Sequence, residues 1–305
     1  MSVRRFRVAV CAFLGLVLAS CGAADQAPES WRKAAIEAKR AVRAQHFGKA
    51  DTLFAEVLQM AAEDGSESGR LVAIEGLAGS HALRGNLGVA DSLYSVLLDM
   101  QRRRFEADSL SGMALVLTLR SRGEINLSRG LPELAGVDFA DILRLDADGA
   151  VDLRPEEGTL AFTIEGLGQV RAAGGDTLGA DSLRGRATGL KLYAQGFSEY
   201  VGDDFDRAEQ TLRAALHHQE RFLGEHEDLA RTAHALGRVY DMRGRRREAA
   251  RQYELAARVY ERIGTSPLDH AAALDDLAAA LPADSQRGDG LRLRAAALRA
   301  GSPEP

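Results

Sequence analysis

Four of the seven histidines fall close together, at His217, His218, His226 and His234, and such a cluster is where metal or general-base chemistry would be sought. His226-Glu227 begins as a zinc-protease helix begins. That chemistry needs a second histidine four residues on, where the chain has Ala230. No triad of ligands has a metal-binding spacing, so these rings belong to a surface or a groove. Asp146, Asp148, Gly149 and Asp152 have the alternation of half a calcium loop, but Arg144 occupies the first ligand slot and Pro155 that of the closing acid. A cation in a ligand slot opposes binding, which leaves a solvated Asp-Gly turn. In Gly65-Ser-Glu-Ser-Gly69 the serines stand beside the centre of a nucleophile elbow, not at it. Gly166-Leu167-Gly168 lacks the third glycine of a dinucleotide site. The residue types exclude a recognisable catalytic centre, and neither cofactor nor metal is expected.

The first residues carry an address. Arg4, Arg5 and Arg7 form a basic head, and Val8–Leu18 is uncharged, too short to span a bilayer as a helix but suited to a secretory signal. Leu18-Ala19-Ser20-Cys21 then resembles the lipobox of bacterial lipoproteins. The resemblance implies cleavage of residues 1–20 and a lipid on Cys21, with 21–30 as a polar tether. Gly22, in place of an aspartate, implies the periplasmic face of the outer membrane. Cys11 would leave with the signal, so no redox or thiol chemistry is expected of the mature chain. Losing the three arginines takes the formal charge from -5 to -8, which disfavours nucleic acid as a partner.

The rest of the chain is helical in composition, with proline absent between Pro28 and Pro132 and between Pro155 and Pro267. It also repeats. Ala208, Leu212 and Ala215 recur as Ala249, Tyr253 and Ala256, 41 residues later. Ala50-Asp-Thr-Leu-Phe54, Ala90-Asp-Ser-Leu-Tyr94 and Ala180-Asp-Ser-Leu183 share one pattern, and Ile74-Glu-Gly-Leu77 recurs as Ile164-Glu-Gly-Leu167. A fixed period of this size predicts stacked helical hairpins, each burying its apolar face against its neighbours. Glycines at 85, 123, 175 and 244 are expected to close first helices.

The pattern resembles the tetratricopeptide repeat (TPR). Gly196, Gly237 and Ala278 stand for its small residue in the first helix, and Tyr240 and Leu281 for the large one near that helix's end. The sets Ala208/Leu212/Ala215 and Ala249/Tyr253/Ala256 stand for its second helix. Leu223-Gly-Glu-His226 and Arg262-Ile-Gly264 are similar to linkers of kinesin-light-chain-like repeats. The usual proline after the second helix is missing, and Ala38 and Gln45 replace expected glycines. The expected fold is all-α, a right-handed solenoid of about seven hairpins, near 31–63, 70–103, 106–130, 160–187, 188–222, 227–263 and 268–300. Repeats would occupy 31–130 and 160–300, with a tail at 301–305. Between them, Leu131-Pro132 breaks the pattern, and alternation about Asp148-Gly149 predicts a β-hairpin or irregular insertion over 131–159.

The resemblance implies that first helices line a concave groove. The spacing then places Tyr193, Phe197 and Tyr200 there, beside a mixed-charge patch of Arg231, His234, Arg238 and Asp241 from the next hairpin, of which the first three flank the rings with positive charge. The three aromatics either anchor a bound peptide or pack against the neighbouring hairpin. The basic clusters Arg102–Arg104 and Arg243/Arg245/Arg246/Arg247 fall at helix ends, where they complement exposed carbonyls. Two functions are consistent with this chain. One is a non-catalytic, membrane-anchored adaptor or scaffold holding a protein or peptide partner. The other is a periplasmic accessory, serving a transporter for example, with a small molecule in the solenoid bore.

Overall fold

A computed structural model of the chain describes residues 30–107, 110–154, 158–282 and 285–301, so Cys21, the signal and nearly all of the tether lie outside the described residues. Every regular element among them is a helix. They are α1 (Ser30–Arg43), α2 (Phe47–Glu63), α3 (Glu67–Arg84), α4 (Leu87–Glu106), α5 (Gly112–Ser128), α6 (Pro132–Ala147), α7 (Thr159–Ala173), α8 (Thr177–Val201), α9 (Phe205–Phe222), α10 (Glu227–Met242), α11 (Arg246–Ile263), α12 (Pro267–Ala280) and α13 (Gln286–Ala300). The helices start where local chemistry allows it. Ser66, Asp176, Asp204 and Ser285 each accept a hydrogen bond from a backbone N–H of the first turn. Between helices the chain reverses through left-handed residues, at Gly85 (φ 85°) for example. Gln45 takes the same region (φ 60°) without being glycine.

The chain forms two compact units, Met1–Asp152 with Gln169–Gly175 and Leu153–Gly168 with Asp176–Pro305. One packing rule runs through each. A small residue in a first helix is followed 12, 16 and 19 residues later by a small, a large and an apolar residue of the second helix. In the first unit Ala38, Ala50, Phe54 and Val57 obey it, as do Ala78, Ala90, Tyr94 and Leu97, all at 0–1% exposure. In the second unit Gly196 with Ala208, Leu212 and Ala215 obeys it, as does Gly237 with Ala249, Tyr253 and Ala256. The physical reason lies at the small residue. A Cβ on Gly237 would stand 2.5 Å from the Tyr253 ring, and one on Gly196 2.7 Å from Leu212. The missing side chain is the hole that the large residue fills.

The same rule corrects the expected insertion. Gly123, Ala135, Phe139 and Ile142 keep the 12, 16 and 19 spacing, the last three at 0% exposure, so 131–147 supplies the second helix of the third hairpin. Pro132 starts α6 at its first turn, where a missing N–H costs nothing, and does not break a helix. Asp148-Gly149 is the end of that helix, with Gly149 at φ 70° and Ala150 N–H bonded to Leu145 O at 2.9 Å, and no strand occurs among the described residues. Gly123 accordingly lies inside α5 under the Phe139 ring, and Gly130 (φ 75°) makes the turn.

The expected hairpin boundary at 187/188 is also absent. α8 runs unbroken for 25 residues. Its first half packs on α7, where Gly168 approaches Ala180 O. Its remainder packs on α9, with Phe222 over Gly185, Gln219 over Gly189 and Leu212 over Gly196. One helix therefore serves two hairpins. Buried ion pairs bind the stack: Arg122 chelates Asp138 (0% exposed) between α5 and α6, and Arg186 Nε donates to Asp228 (3% exposed) between α8 and α10 at 2.8 Å.

Candidate functional site

Within the second unit the first helices α8, α10 and α12 touch in succession. Their shared face carries all seven sequence-chosen residues. Tyr193, Phe197 and Tyr200 form a ladder of rings with centroids 6.0 and 6.2 Å apart, and Phe205 at the start of α9 extends it by 6.0 Å. The spacings of four and three residues put them on one side of α8. Tyr193 belongs to the core, 5% exposed among Leu212, Leu236 and Val239, while Phe197 and Tyr200 lie on that core half-buried. The two alternatives for the aromatics thus divide along the helix, one ring in the core and two at its margin.

The flanking residues from α10 are tied down. Arg238, exposed, places its guanidinium 5.3 Å from the Tyr200 centroid. His234 Nε2 lies 2.8 Å from Asp276 Oδ2 of α12, with its ring edge-on to Tyr253. Tyr253 in turn donates to Asp241 at 3.2 Å. Arg231 bonds Glu227 at 2.5 Å and lies 3.6 Å from Asp269. The expected positive flank is therefore not there. Two arginines face four carboxylates, Glu227, Asp241, Asp269 and Asp276, and the strip is balanced towards acid. Burial raises the Tyr253 and Tyr260 phenols above their ordinary range, and the neighbouring carboxylates add to it.

The basic clusters are likewise engaged. Glu209, 8% exposed, accepts from Arg243 at 2.6 Å and from Arg245 at 2.7 Å, and Arg245 stacks 4.4 Å from the Tyr240 centroid. Arg102 pairs with Asp141 at 3.2 Å, and Arg246 and Arg247 are exposed. Of the histidines, His226 caps α10, its Nδ1 accepting from Asp228 N–H at 3.1 Å. Among the described residues no group of three or more His, Cys, Asp or Glu could hold a metal ion.

A second cluster lies outside the site residues expected from the sequence. In the first unit Lys39 of α1, Glu75 of α3, and Arg120 and Glu124 of α5 lie three residues before or one after the small residue of their helix. These are the positions that Tyr193, Phe197, His234 and Arg238 hold in the second unit. Counting back twelve from Ala50, Ala90 and Ala135 finds them. Lys39, Glu75 and Glu124 are 5–6% exposed, Glu75 Oε1 has no hydrogen-bond partner among the described residues, and Arg120 Nε lies 3.9 Å from Glu124. Burial, against the pull of Lys39, pushes the Glu75 carboxyl up to about 7.

Paired helices locked by a small-to-large contact and stacked on their neighbours define an α-solenoid of the kind that serves as a protein–protein interaction scaffold. Within that class the chain carries tetratricopeptide repeats, whose family model matches residues 189–262. That family is typically non-catalytic. Among solved structures the chain is similar to kinesin-light-chain TPR-like repeats of Podosopora anserina (17% identity, 79% of this chain, 100% of that one, TM-score 0.42). It is also similar to BtubC (BKLC) of P. vanneervenii (18%, 90% and 94%, TM-score 0.33) and to a chain of the APC/C hetero-tetramer Cut9–Hcn1 (13%, 85% and 54%, TM-score 0.29). No curated protein matches the chain.

Proposed function

We propose that this protein is a non-catalytic TPR lipoprotein that holds a protein partner at the cell envelope, anchored through lipid on Cys21 at the periplasmic face of the outer membrane. The observation that carries the partner-binding part is the ring ladder Tyr193–Phe197–Tyr200–Phe205 with Arg238 lying on it. A half-buried row of aromatics offers a large, preordered apolar surface at little entropic cost, which is what an anchor site needs. The carboxylates beside it favour a partner segment that brings an apolar side chain and a basic one. The anchoring part is supported by Leu18–Cys21 after an uncharged segment. No described helix is long and apolar enough to cross a membrane.

The test is a double variant, Phe197→Ala with Arg238→Ala, in crosslinking and pull-down from envelope fractions against wild type. Partner capture should fall while the helical circular-dichroism signal and melting midpoint stay close to wild type. Equal recovery of the same partners would place the binding surface elsewhere. A large fall in melting temperature from Phe197→Ala alone would make the ladder structural.

A further inference from the structure

At the end of the second unit, α11, α12 and α13 line a half-open cavity of about 250 Å³ beside the Gly264–Pro267 turn. None of the residues of the ladder strip lines it. Its walls are the Tyr260 ring, Pro267 and Leu298, and at its margin Arg294 of α13 bonds Glu261 of α11 at 2.6 Å. His270 lines it too, 5% exposed, stacked on Tyr260 with centroids 6.3 Å apart, and its Nε2 has no hydrogen-bond partner among the described residues. A buried polar atom left unpartnered costs free energy, and a ligand that satisfies it recovers that cost. The turn is itself held in an unfavourable shape. Ser266 adopts φ 50° directly before Pro267, a region that both its own Cβ and the following ring disfavour. Such conformations persist where surrounding structure imposes them, often at ligand sites.

The chemistry of the walls narrows the ligand. Glu261 and Arg294 neutralise each other, so a charged ligand meets no uncompensated counter-charge. Burial, then the charge of Arg294, lower the affinity of His270 for a proton, so the ring is neutral at pH 7. In the tautomer protonated at Nδ1 its Nε2 is an acceptor. We infer that this cavity binds an uncharged ring bearing one polar hydrogen, a phenol or an indole, which donates to His270 Nε2 while its face lies against Tyr260, Pro267 and Leu298. The ring could belong to a free small molecule or to a Tyr or Trp side chain of a bound polypeptide.

The probes are p-cresol, toluene and acetate, added to the full chain labelled with 15N and followed by long-range 1H–15N correlation of the histidine rings. His270 is assigned by the resonance lost in His270→Phe, or in His270→Gln if the first variant does not fold. p-Cresol should move the Nε2 resonance saturably and bind about tenfold more tightly than toluene, the worth of one hydrogen bond to an otherwise unsatisfied group. In His270→Phe the two should bind alike. Equal affinities of p-cresol and toluene for wild type would overturn the inference, as would tighter binding of acetate or an Nε2 resonance that no probe moves. Acetyl-glycyl-tyrosyl-glycinamide moving the same resonance would mark a polypeptide side chain as occupant, and p-cresol alone moving it a free molecule. Because the cavity shares no lining residue with the ladder, neither outcome changes the partner-capture test.

Discussion

Glu75 should make the first unit less stable as pH rises from about 4.5 to about 7, and Glu75→Gln should remove that loss. The carboxyl sits on α3 close to Lys39 of α1 and Tyr94 of α4, the latter also neighboured by Arg120 and Glu124 of α5, and burial outweighs the attraction of Lys39. Its folded value is about 7 against an ordinary 4.5. Below pH 4.5 folded and unfolded chains both hold the proton, and the group contributes no difference. Between 4.5 and 7 the unfolded chain releases it and the folded chain does not, so stability falls by about 1.4 kcal/mol per pH unit. Above 7 both are ionised and the loss levels off at about 3 kcal/mol.

The assay is denaturant unfolding of wild type and Glu75→Gln from pH 4.5 to 8.5, with peptide-resolved hydrogen exchange over 67–84 to locate the change. Taking the difference between the two proteins cancels every other titrating group. The variant should match wild type near pH 4.5 and exceed it by about 3 kcal/mol at pH 8. A difference independent of pH would show that Glu75 keeps an ordinary affinity for its proton. A variant less stable than wild type at pH 8 would show that the ionised pair with Lys39 is net favourable, since Gln would then take a carboxylate away from a buried ammonium.

Gly237→Ala should lower stability by about 1–2 kcal/mol despite its better helix propensity, because the new methyl would stand 2.5 Å from a Tyr253 ring fixed by burial and by its bond to Asp241. Gly290→Ala, with nothing within 4 Å in the middle of α13, should raise it by about 0.5–1 kcal/mol, and thermal melts giving the two changes the same sign would refute the packing rule. Protein expressed in a lipidating bacterial host should lack residues 1–20 and carry a triacyl mass on Cys21, and intact mass showing a free thiol there would end the anchoring proposal.

What could be read from the sequence was what obeys a fixed spacing. The recurrence of Ala208/Leu212/Ala215 as Ala249/Tyr253/Ala256 gave the helical hairpins because each small residue marks a close approach and each large one fills it. Two features could not be read the same way. Pro132 is a helix breaker in the interior and a helix starter at the first turn, and only the buried Ala135, Phe139 and Ile142 decide between them. The repeat spacing places a hairpin boundary at 187/188, yet α8 runs through it, with Phe222 and Gln219 occupying the space that side chains at Gly185 and Gly189 would need. The ladder residues were legible by face. Their counter-charges were not, since Asp269 and Asp276 come from the next first helix, a repeat away.

The two units put opposed chemistry at equivalent positions. In the second, the places flanking the small residue hold Tyr193, Phe197, His234 and Arg238, whose surface is largely uncharged ring. In the first they hold Lys39, Glu75 and Glu124, buried, and Arg120, half-buried, with Lys39 near Glu75, Arg120 beside Glu124, and Tyr94 between Glu75 and that second pair. A buried charged set of this kind contributes little net stability, and apolar residues of similar volume would commonly do as well or better. What it does is penalise misalignment. Shifting one first helix by a turn would set like charges together or leave Glu75 without Lys39, whereas an apolar face tolerates several registers. The charges of the first unit therefore select how α1, α3 and α5 stack, while under the proposed function the rings of the second supply surface for a partner. On that division Glu75→Gln should change pH-dependent stability without touching partner capture, and Phe197→Ala with Arg238→Ala should do the reverse. A Glu75→Gln protein that lost its partner at unchanged stability would show that recognition extends into the first unit's charged helices.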